Sequence, residues 1–283
     1  MKFLIINADD FGLAGEINRA IYSAHHHGVL TSTSLMAPGE AFEEAVELAA
    51  ASPRLGVGIH ATLVGGLRPV CDPADVPTLV DDEGNLWKSY EEFIRRDLAR
   101  KIDYEDVWKE LTAQFEKICA SGLQITHVDG HQHLHVWTKV LPIVTALCHR
   151  YRIHCLRIPE ERISYGKHLA DRRRFLGKAG LSTLAGRARK YIRPQGLQTT
   201  DYFWGMMDGG RMTERNLLNI LGQFKPGFHE IMCHPGMNDH VLGQKFPWGY
   251  HWTQEWQALE SVRVYEKIME EGIHRIHYGD IQP

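Results

Sequence analysis

Short apolar runs alternate with longer stretches of helical periodicity along most of the chain. This alternation is typical of parallel strands that are joined by helices. The apolar runs predict seven strands, over residues 3–8, 30–36, 56–62, 124–128, 154–158, 230–233 and 275–278. The helical spacing predicts helices over residues 15–26, 41–51, 104–121, 139–152, 213–223 and 254–272. Units of this number and order favour an irregular (β/α) barrel.

The end of the first strand argues against the main alternative fold, because it carries two adjacent carboxylates, Asp9 and Asp10. An open doubly wound sheet that binds a nucleotide needs a glycine-rich phosphate loop after its first strand. Two carboxylates would repel a phosphate group at that point. The sequence is therefore interpreted as an α/β fold, an irregular (β/α) barrel.

The 283 residues and the hydrophobic content of 43% suit a single domain with a substantial core, spanning residues 1–283. Two segments interrupt the alternation of strands and helices. Residues 65–84 hold three prolines and predict a long ordered loop. Residues from about 160 to 200 predict a basic helical insertion over one end of the barrel.

Overall composition excludes several classes of function. The net charge of -3 gives no reason to expect a nucleic acid partner. Every apolar stretch is shorter than the ~18 residues of a membrane span, and the first is too short for a signal peptide. Five cysteines without a CxxC pair indicate reduced thiols, and we expect a cytoplasmic location. The 17 histidines, many of them clustered, indicate where the chemistry lies.

Polar clusters follow several predicted strands, where the loops of a barrel build its active site. Asp9 and Asp10 form the first cluster. Neighbouring side chains at a strand end point to opposite faces, so one carboxylate could bind a metal while the other faces the substrate. An aspartate at this place is also a common helix cap or turn former.

Three further residues at strand ends have two interpretations each. His60 ends the third strand and is either a ligand or a core histidine with satisfied nitrogens. His234 lies between a strand and a Pro-Gly turn and is either an acid–base residue or a structural histidine. Arg157 ends the fifth strand and predicts a carboxylate partner, in a structural ion pair or in the active site.

The strongest cluster is HVDGHQHLH over residues 127–135. Strand alternation places His127 and Asp129 on one face, and His131, His133 and His135 follow the glycine. Four histidines in nine residues have little value for packing, because each buried imidazole needs a hydrogen-bond partner. Imidazole is a preferred ligand of Zn²⁺ and other transition metals.

Together these clusters supply metal ligands, a base for water and an acid for a leaving amine, as metal-assisted amide hydrolysis requires. The motifs HExxH and GxSxG are absent from the sequence, which argues against a zincin and a serine hydrolase. Aromatic residues in the later loops could stack on a sugar ring or fill the core: Trp204, Trp248, Tyr250 and Trp252.

Two other functions remain alternatives. A metal-dependent phosphoesterase on a similar barrel would need a second metal and cationic groups near the site, and lysine and arginine are scarce beside the histidine clusters. A non-catalytic carbohydrate-binding protein is the other alternative. Loss of Asp9 or His234 would indicate it, and both are present.

The motifs NADDFGL (7–13), GIH (58–60), HVDGHQHLH (127–135) and CHP (233–235) resemble those of the YdjC-like carbohydrate deacetylases. That family includes chitooligosaccharide deacetylases and deacetylases associated with hopanoid biosynthesis. The resemblance runs from residue 2 to about 240, with the motifs in the family's order. It implies an irregular (β/α) barrel and removal of an N-acetyl group from an amino sugar, in an oligosaccharide or a glycolipid.

The resemblance also implies roles for individual residues. One divalent metal ion, Mg²⁺ or Zn²⁺, would be bound by Asp10, His60 and His131. Asp9 would be the general base and His234 the general acid. The remaining polar residues would orient the base (Arg157) or support the metal ligands and face the substrate (His127, Asp129, His133 and His135).

Within the family, residues 68–81 and the long insertion resemble the hopanoid-associated branch more closely. Asp129-Gly130 stands where other members often carry Asp-Ser, which leaves the substrate preference open.

Residues 172–193 hold eight basic residues and no acidic one, beside an apolar stripe of helical spacing. This segment predicts either a peripheral contact with an anionic membrane or a solvated helix packed over the barrel.

Overall fold

The computed structural model describes residues 1–161 and 183–281. Within these residues, one seven-stranded sheet has the order β4-β3-β2-β1-β6-β5, and β7 also pairs with β1. All of its pairings are parallel. The strands are β1 (Lys2–Phe11), β2 (Ser32–Leu35), β3 (Gly56–Ala61), β4 (Ile125–Gly130), β5 (Tyr202–Trp204), β6 (Gly227–Cys233) and β7 (Ile273–Arg275).

Helices surround the sheet and connect most of the strands. Their bounds are α1 (Gly15–His27), α2 (Phe42–Ala50), α3 (Tyr90–Leu98), α4 (Tyr104–Ala120), α5 (Leu141–Arg150), α6 (183–192 of the described residues), α7 (Glu214–Leu221), α8 (Asp239–Lys245), α9 (Trp252–Leu259) and α10 (Val262–Glu270). The single helix predicted over 254–272 is wrong. Ser261 accepts a hydrogen bond from the backbone N–H of Val264 and so begins a new helix.

The sheet curls into the irregular (β/α) barrel that the sequence predicts. β1 lies at its centre and is buried from Leu4 to Phe11, as expected for a parallel strand that is covered on both faces. The predicted strand at 154–158 is reduced to isolated bridges that join Leu156 to Val128 and Cys155 to Gln198. These bridges extend the parallel pairing from β4 in the direction of β5. Strand β5 has three residues, and the apolar pattern did not predict it.

The long loop after β3 is ordered, because α4 holds its backbone. Glu110 is fully buried and accepts hydrogen bonds from the backbone N–H groups of Val70 and Cys71, each at 2.9 Å. Asp106 accepts from both the backbone and the hydroxyl of Thr78. The prediction of an ordered loop over 65–84 is confirmed by these contacts.

The described part of the insertion packs onto the protein itself. Ala185, Ala188 and Ile192 on α6 are buried in the main core, and Arg189 forms an ion pair with Glu160 at 2.6 Å. These three apolar residues of α6 are therefore covered by the protein itself, while Tyr191 on the same helix is 42% exposed. The arginines at 172–174 fall within residues 162–182, outside the described residues, so the membrane contact and the insertion's bounds stay predictions. Among the described residues, no helix is both long and apolar enough to span a membrane.

Gly58 on β3 provides a test of the packing behind the polar centre. A Cβ at this position would lie 2.3 Å from Cε1 of His127, whose buried ring stacks on Tyr278 and has no room to move. We expect Gly58→Ala to lower the free energy of unfolding by about 1–3 kcal/mol, measured by denaturant titration.

The control is Gly243→Ala within α8, where an added Cβ meets nothing within 4 Å. This variant should keep or slightly raise stability, by up to about 1 kcal/mol, because alanine favours a helix over glycine. Equal stability of the two variants would contradict the packing described for His127.

Candidate metal centre and active site

The candidate site lies where the carboxyl ends of neighbouring parallel strands meet. In the sheet register His60 on β3 is opposite Asp129 on β4. Ala8 on β1 is opposite Cys233 on β6, so Asp9 and His234 follow at adjacent positions. The sheet thus brings residues from four separate motifs to one edge.

The end of β1 departs from a regular strand. Asp10 has a φ of 66°, in the left-handed region, and the register with β2 shifts between Ala8 and Phe11. Aspartate tolerates this conformation better than most residues. As a result the alternation expected for Asp9 and Asp10 does not hold, and an oxygen of each carboxylate lies within 4.8 Å of a ring nitrogen of His60.

Asp10, His60 and His131 form a buried group with the geometry of a metal site. Oδ1 of Asp10 lies 3.4 Å from Nε2 of His60 and 3.0 Å from Nδ1 of His131. Ligand atoms held about 2.0–2.2 Å from one ion are separated by about 3.0–3.4 Å in tetrahedral or octahedral geometry. The three side chains that the family resemblance assigns as ligands therefore converge.

Asp129 fixes the orientation of His60. Its Oδ1 lies 2.7 Å from Nδ1 of His60, which leaves Nε2 directed at Asp10. Burial alone would raise the pKa of Asp10, but His131 and His60 hold it well below its usual range. Burial alone would lower the pKa of His60, but Asp129 and Asp10 raise it to about 10. Asp129 and Asp10 therefore stabilise a positive charge at the position of His60 between them.

Arg157 is the cation of the centre and is entirely buried. Its guanidinium donates two hydrogen bonds to Asp9, at 2.7 and 2.8 Å. It also contacts Asp129 at 2.7 Å and donates to Glu230 at 2.7 Å. The predicted carboxylate partner is thus a set of three, and the pKa of Arg157 is raised well above its usual value despite burial.

Glu230 is a member of this network that the sequence did not single out. Burial raises its pKa to about 7, although Arg157 opposes this, and the hydroxyl of Tyr278 donates a hydrogen bond to it. The available signal was an acidic residue at the start of a run predicted to be a buried strand. Ser34 is a second member of the network that the sequence did not single out, and its hydroxyl donates to Asp129 at 2.6 Å.

The other histidines of the 127–135 cluster surround the centre without joining the ligand group. His127 lies beside Ser34, and burial lowers its pKa to about 3. His135 bonds to the backbone oxygen of Arg157 at 3.0 Å, and burial lowers its pKa to about 4. His133 is half-buried with its ring edge toward Phe203. The first two support the site, and neither carries a charge at neutral pH.

His234 sits on the same edge, held by a residue that the sequence analysis missed. Its backbone N–H donates to Glu255 at 2.5 Å, and Glu255 is almost fully buried on α9. Among the described residues, Nδ1 of His234 is a buried nitrogen without a hydrogen-bond partner. The ring lies beside that of Tyr250, with the ring centroids 4.8 Å apart.

Comparison with known proteins shows the family of the chain. Residues 3–270 match the family described as YdjC-like protein. The chain belongs to the YdjC-like family. It is 43% identical over 280 residues to a carbohydrate deacetylase of Brevibacillus brevis, with 98% of this chain and 99% of the relative covered. It is 31% identical over 284 residues to a chitooligosaccharide deacetylase of Salmonella paratyphi B, with 99% of each covered.

A solved structure has the same fold. It is a protein of Enterococcus faecalis V583 named as a candidate cellobiose-phosphate cleavage protein, with 29% identity and a TM-score of 0.78. The alignment covers 98% of this chain and 97% of that one. The likeness therefore extends over the whole barrel and its loops.

The buried position of Arg157 generates a stability prediction. We expect Arg157→Met to cost about 3–5 kcal/mol of unfolding free energy, because it leaves buried carboxylates uncompensated. Arg157→Lys keeps the charge but loses the paired hydrogen bonds to Asp9, so its loss should be smaller. Denaturant titration measures both.

Arg150→Met is the matched control, since Arg150 pairs with Glu116 at 3.8 Å and its side chain is 54% exposed. Its removal should cost no more than about 1 kcal/mol. If Arg157→Lys and Arg150→Met were equally stable, the central role of the Arg157 network would be disproved.

Proposed function

We propose that the protein is a metal-dependent hydrolase that removes an N-acetyl group from an amino-sugar substrate. The observation that carries the proposal is the buried group of Asp10, His60 and His131 next to the Asp9–Arg157 pair. The names of its relatives, carbohydrate deacetylase and chitooligosaccharide deacetylase, support the substrate class. None of these names refers to hopanoids, so the branch assignment remains a prediction.

The residues fit a single divalent ion. A carboxylate with two imidazoles suits Zn²⁺ or a similar transition metal better than Mg²⁺, which prefers oxygen ligands. Nδ1 of His131 and Nε2 of His60 both face Oδ1 of Asp10, at 3.0 and 3.4 Å, so one atom of each side chain is available to the same ion. Asp10, His60 and His131 would hold the ion, and Asp129 would keep His60 in place.

The reaction consumes one water and yields acetate and a free amine. A divalent ion at this site supplies Lewis-acid activation of the water and of the acetyl carbonyl. Asp9 accepts the proton from the attacking water, and Arg157 holds both of its carboxylate oxygens in place for this. His234, which follows β6 at the same edge of the sheet, donates a proton to the departing amine nitrogen.

The phosphoesterase alternative is weaker in this structure. A second ion would need the group of Asp9, His60 and Asp129. His60 is shared with the first group, and Arg157 already binds both carboxylates. The guanidinium is in turn surrounded by carboxylates, so it is not available to a phosphate.

The experiment is acetate release from N-acetylglucosamine oligosaccharides and from acetylated glycolipids, with and without EDTA. We expect turnover that EDTA abolishes and that Zn²⁺ or another divalent ion restores. Full turnover by metal-free protein would overturn metal dependence. Absence of acetate release from every amino sugar tested would overturn the proposed function.

Variants separate the base and the acid from the ligands. Asp9→Asn should keep the bound metal and lose most of the activity, because it removes chiefly the proton acceptor. His234→Ala should also keep the metal and lose roughly 10²–10⁴-fold in rate, the usual scale for general acid–base catalysis. Asp10→Asn should lower metal content itself.

Elemental analysis of the purified variants gives the metal stoichiometry, and acetate release gives the rate. Metal content that fell equally in all of these variants would show the roles to be wrongly assigned. His26→Ala, at the end of α1 and away from the site, should change neither quantity and serves as a histidine control.

A further inference from the structure

The structure separates the aromatic candidates for sugar stacking into two groups. Trp204 lies against Phe224 and donates its ring N–H to His229, so its ring is part of the protein's packing. Trp252 is only 2% exposed and belongs to the core. Trp252 therefore has almost no exposed surface, and the ring contacts described for Trp204 are with Phe224 and His229 and not with the proposed site residues.

Trp248 and Tyr250 are half-buried, as Trp204 is, but they border the proposed reactive groups. The ring of Trp248 lies 5.5 Å from the ring of His131, and that of Tyr250 lies 4.8 Å from the ring of His234. The two aromatic rings are 5.6 Å apart. The two rings therefore form a continuous aromatic surface from His131, a proposed metal ligand, to His234, the proposed acid.

Trp248 is also fixed in place. Phe246 is 8% exposed and packs against its ring at 5.0 Å, while Tyr250 meets it edge to face. A ring held by its neighbours loses little side-chain freedom when a ligand binds, so it makes an efficient contact surface.

We propose that Trp248 is the platform on which the acetylated pyranose ring stacks, with a preference for the gluco configuration. The inference rests on the proposed function and names the sugar that the site takes. A pyranose with only equatorial substituents presents C–H groups on both faces, and these pack on an indole ring. An axial hydroxyl, as in the galacto configuration, places a polar group on one face, so stacking through that face costs desolvation and only the opposite face can pack on the indole.

Binding is tested without turnover, in metal-loaded Asp9→Asn protein titrated calorimetrically with the trimer of N-acetylglucosamine. Trp248→Ala should weaken affinity on the order of tenfold or more, as expected for loss of a central aromatic contact. Trp248→Phe should restore most of the affinity. Trp256→Ala is the control, since Trp256 on α9 is also half-buried but donates to Glu260 away from the site.

N-acetylgalactosamine, compared with N-acetylglucosamine as a monosaccharide, tests the configuration. N-acetylgalactosamine should bind the Asp9→Asn protein more weakly than N-acetylglucosamine does. The Trp248→Ala substitution should lower its affinity by a smaller factor. Unchanged binding of the trimer by Trp248→Ala, at equal metal content, would overturn the inference. So would equal affinity for the two sugars.

The two proposals fail in different ways. If the wild type releases acetate from amino sugars and Trp248→Ala keeps the same KM, only the stacking platform is rejected. If the wild type releases no acetate from any amino sugar, the proposed function itself is rejected.

Discussion

Arg157 holds the centre of the barrel together, because one fully buried guanidinium faces carboxylates from three different strands. Asp9 comes from β1, Asp129 from β4 and Glu230 from β6. Removing such charges from water is costly, and the arrangement is stable only because each is paired at hydrogen-bond distance. The pairing joins segments that lie far apart in sequence and fixes the position of Asp9 beside the metal group.

The same network explains why the neighbouring group suits a metal ion. Asp10 adds a further buried carboxylate, while Arg157 is already committed to its own partners. His127 has its pKa lowered by burial and adds no positive charge at neutral pH. The carboxylate that Arg157 does not contact is Asp10, beside His60 and His131, where a divalent cation would balance its charge.

The opposite side of the site is built differently, from His234 and aromatic rings. Glu255 fixes the backbone at His234, and the rings of Tyr250 and Trp248 lie beside it in turn. In the proposed hydrolysis of an acetylated sugar, the charged side would activate water and the aromatic side would hold the sugar ring. The barrel edge supplies both because loops from separate strands meet there.

The sequence by itself determined the barrel, the family and the set of ligand candidates, because each depends on local patterns: apolar runs, and polar clusters directly after them. Tertiary structure alone decided the roles of Glu230 and Glu255, whose importance comes from burial against distant partners. It also decided the burial of α6, and it reduced the strand at 154–158 to bridges. Burial and strand pairing depend on contacts between distant segments, which no local pattern encodes.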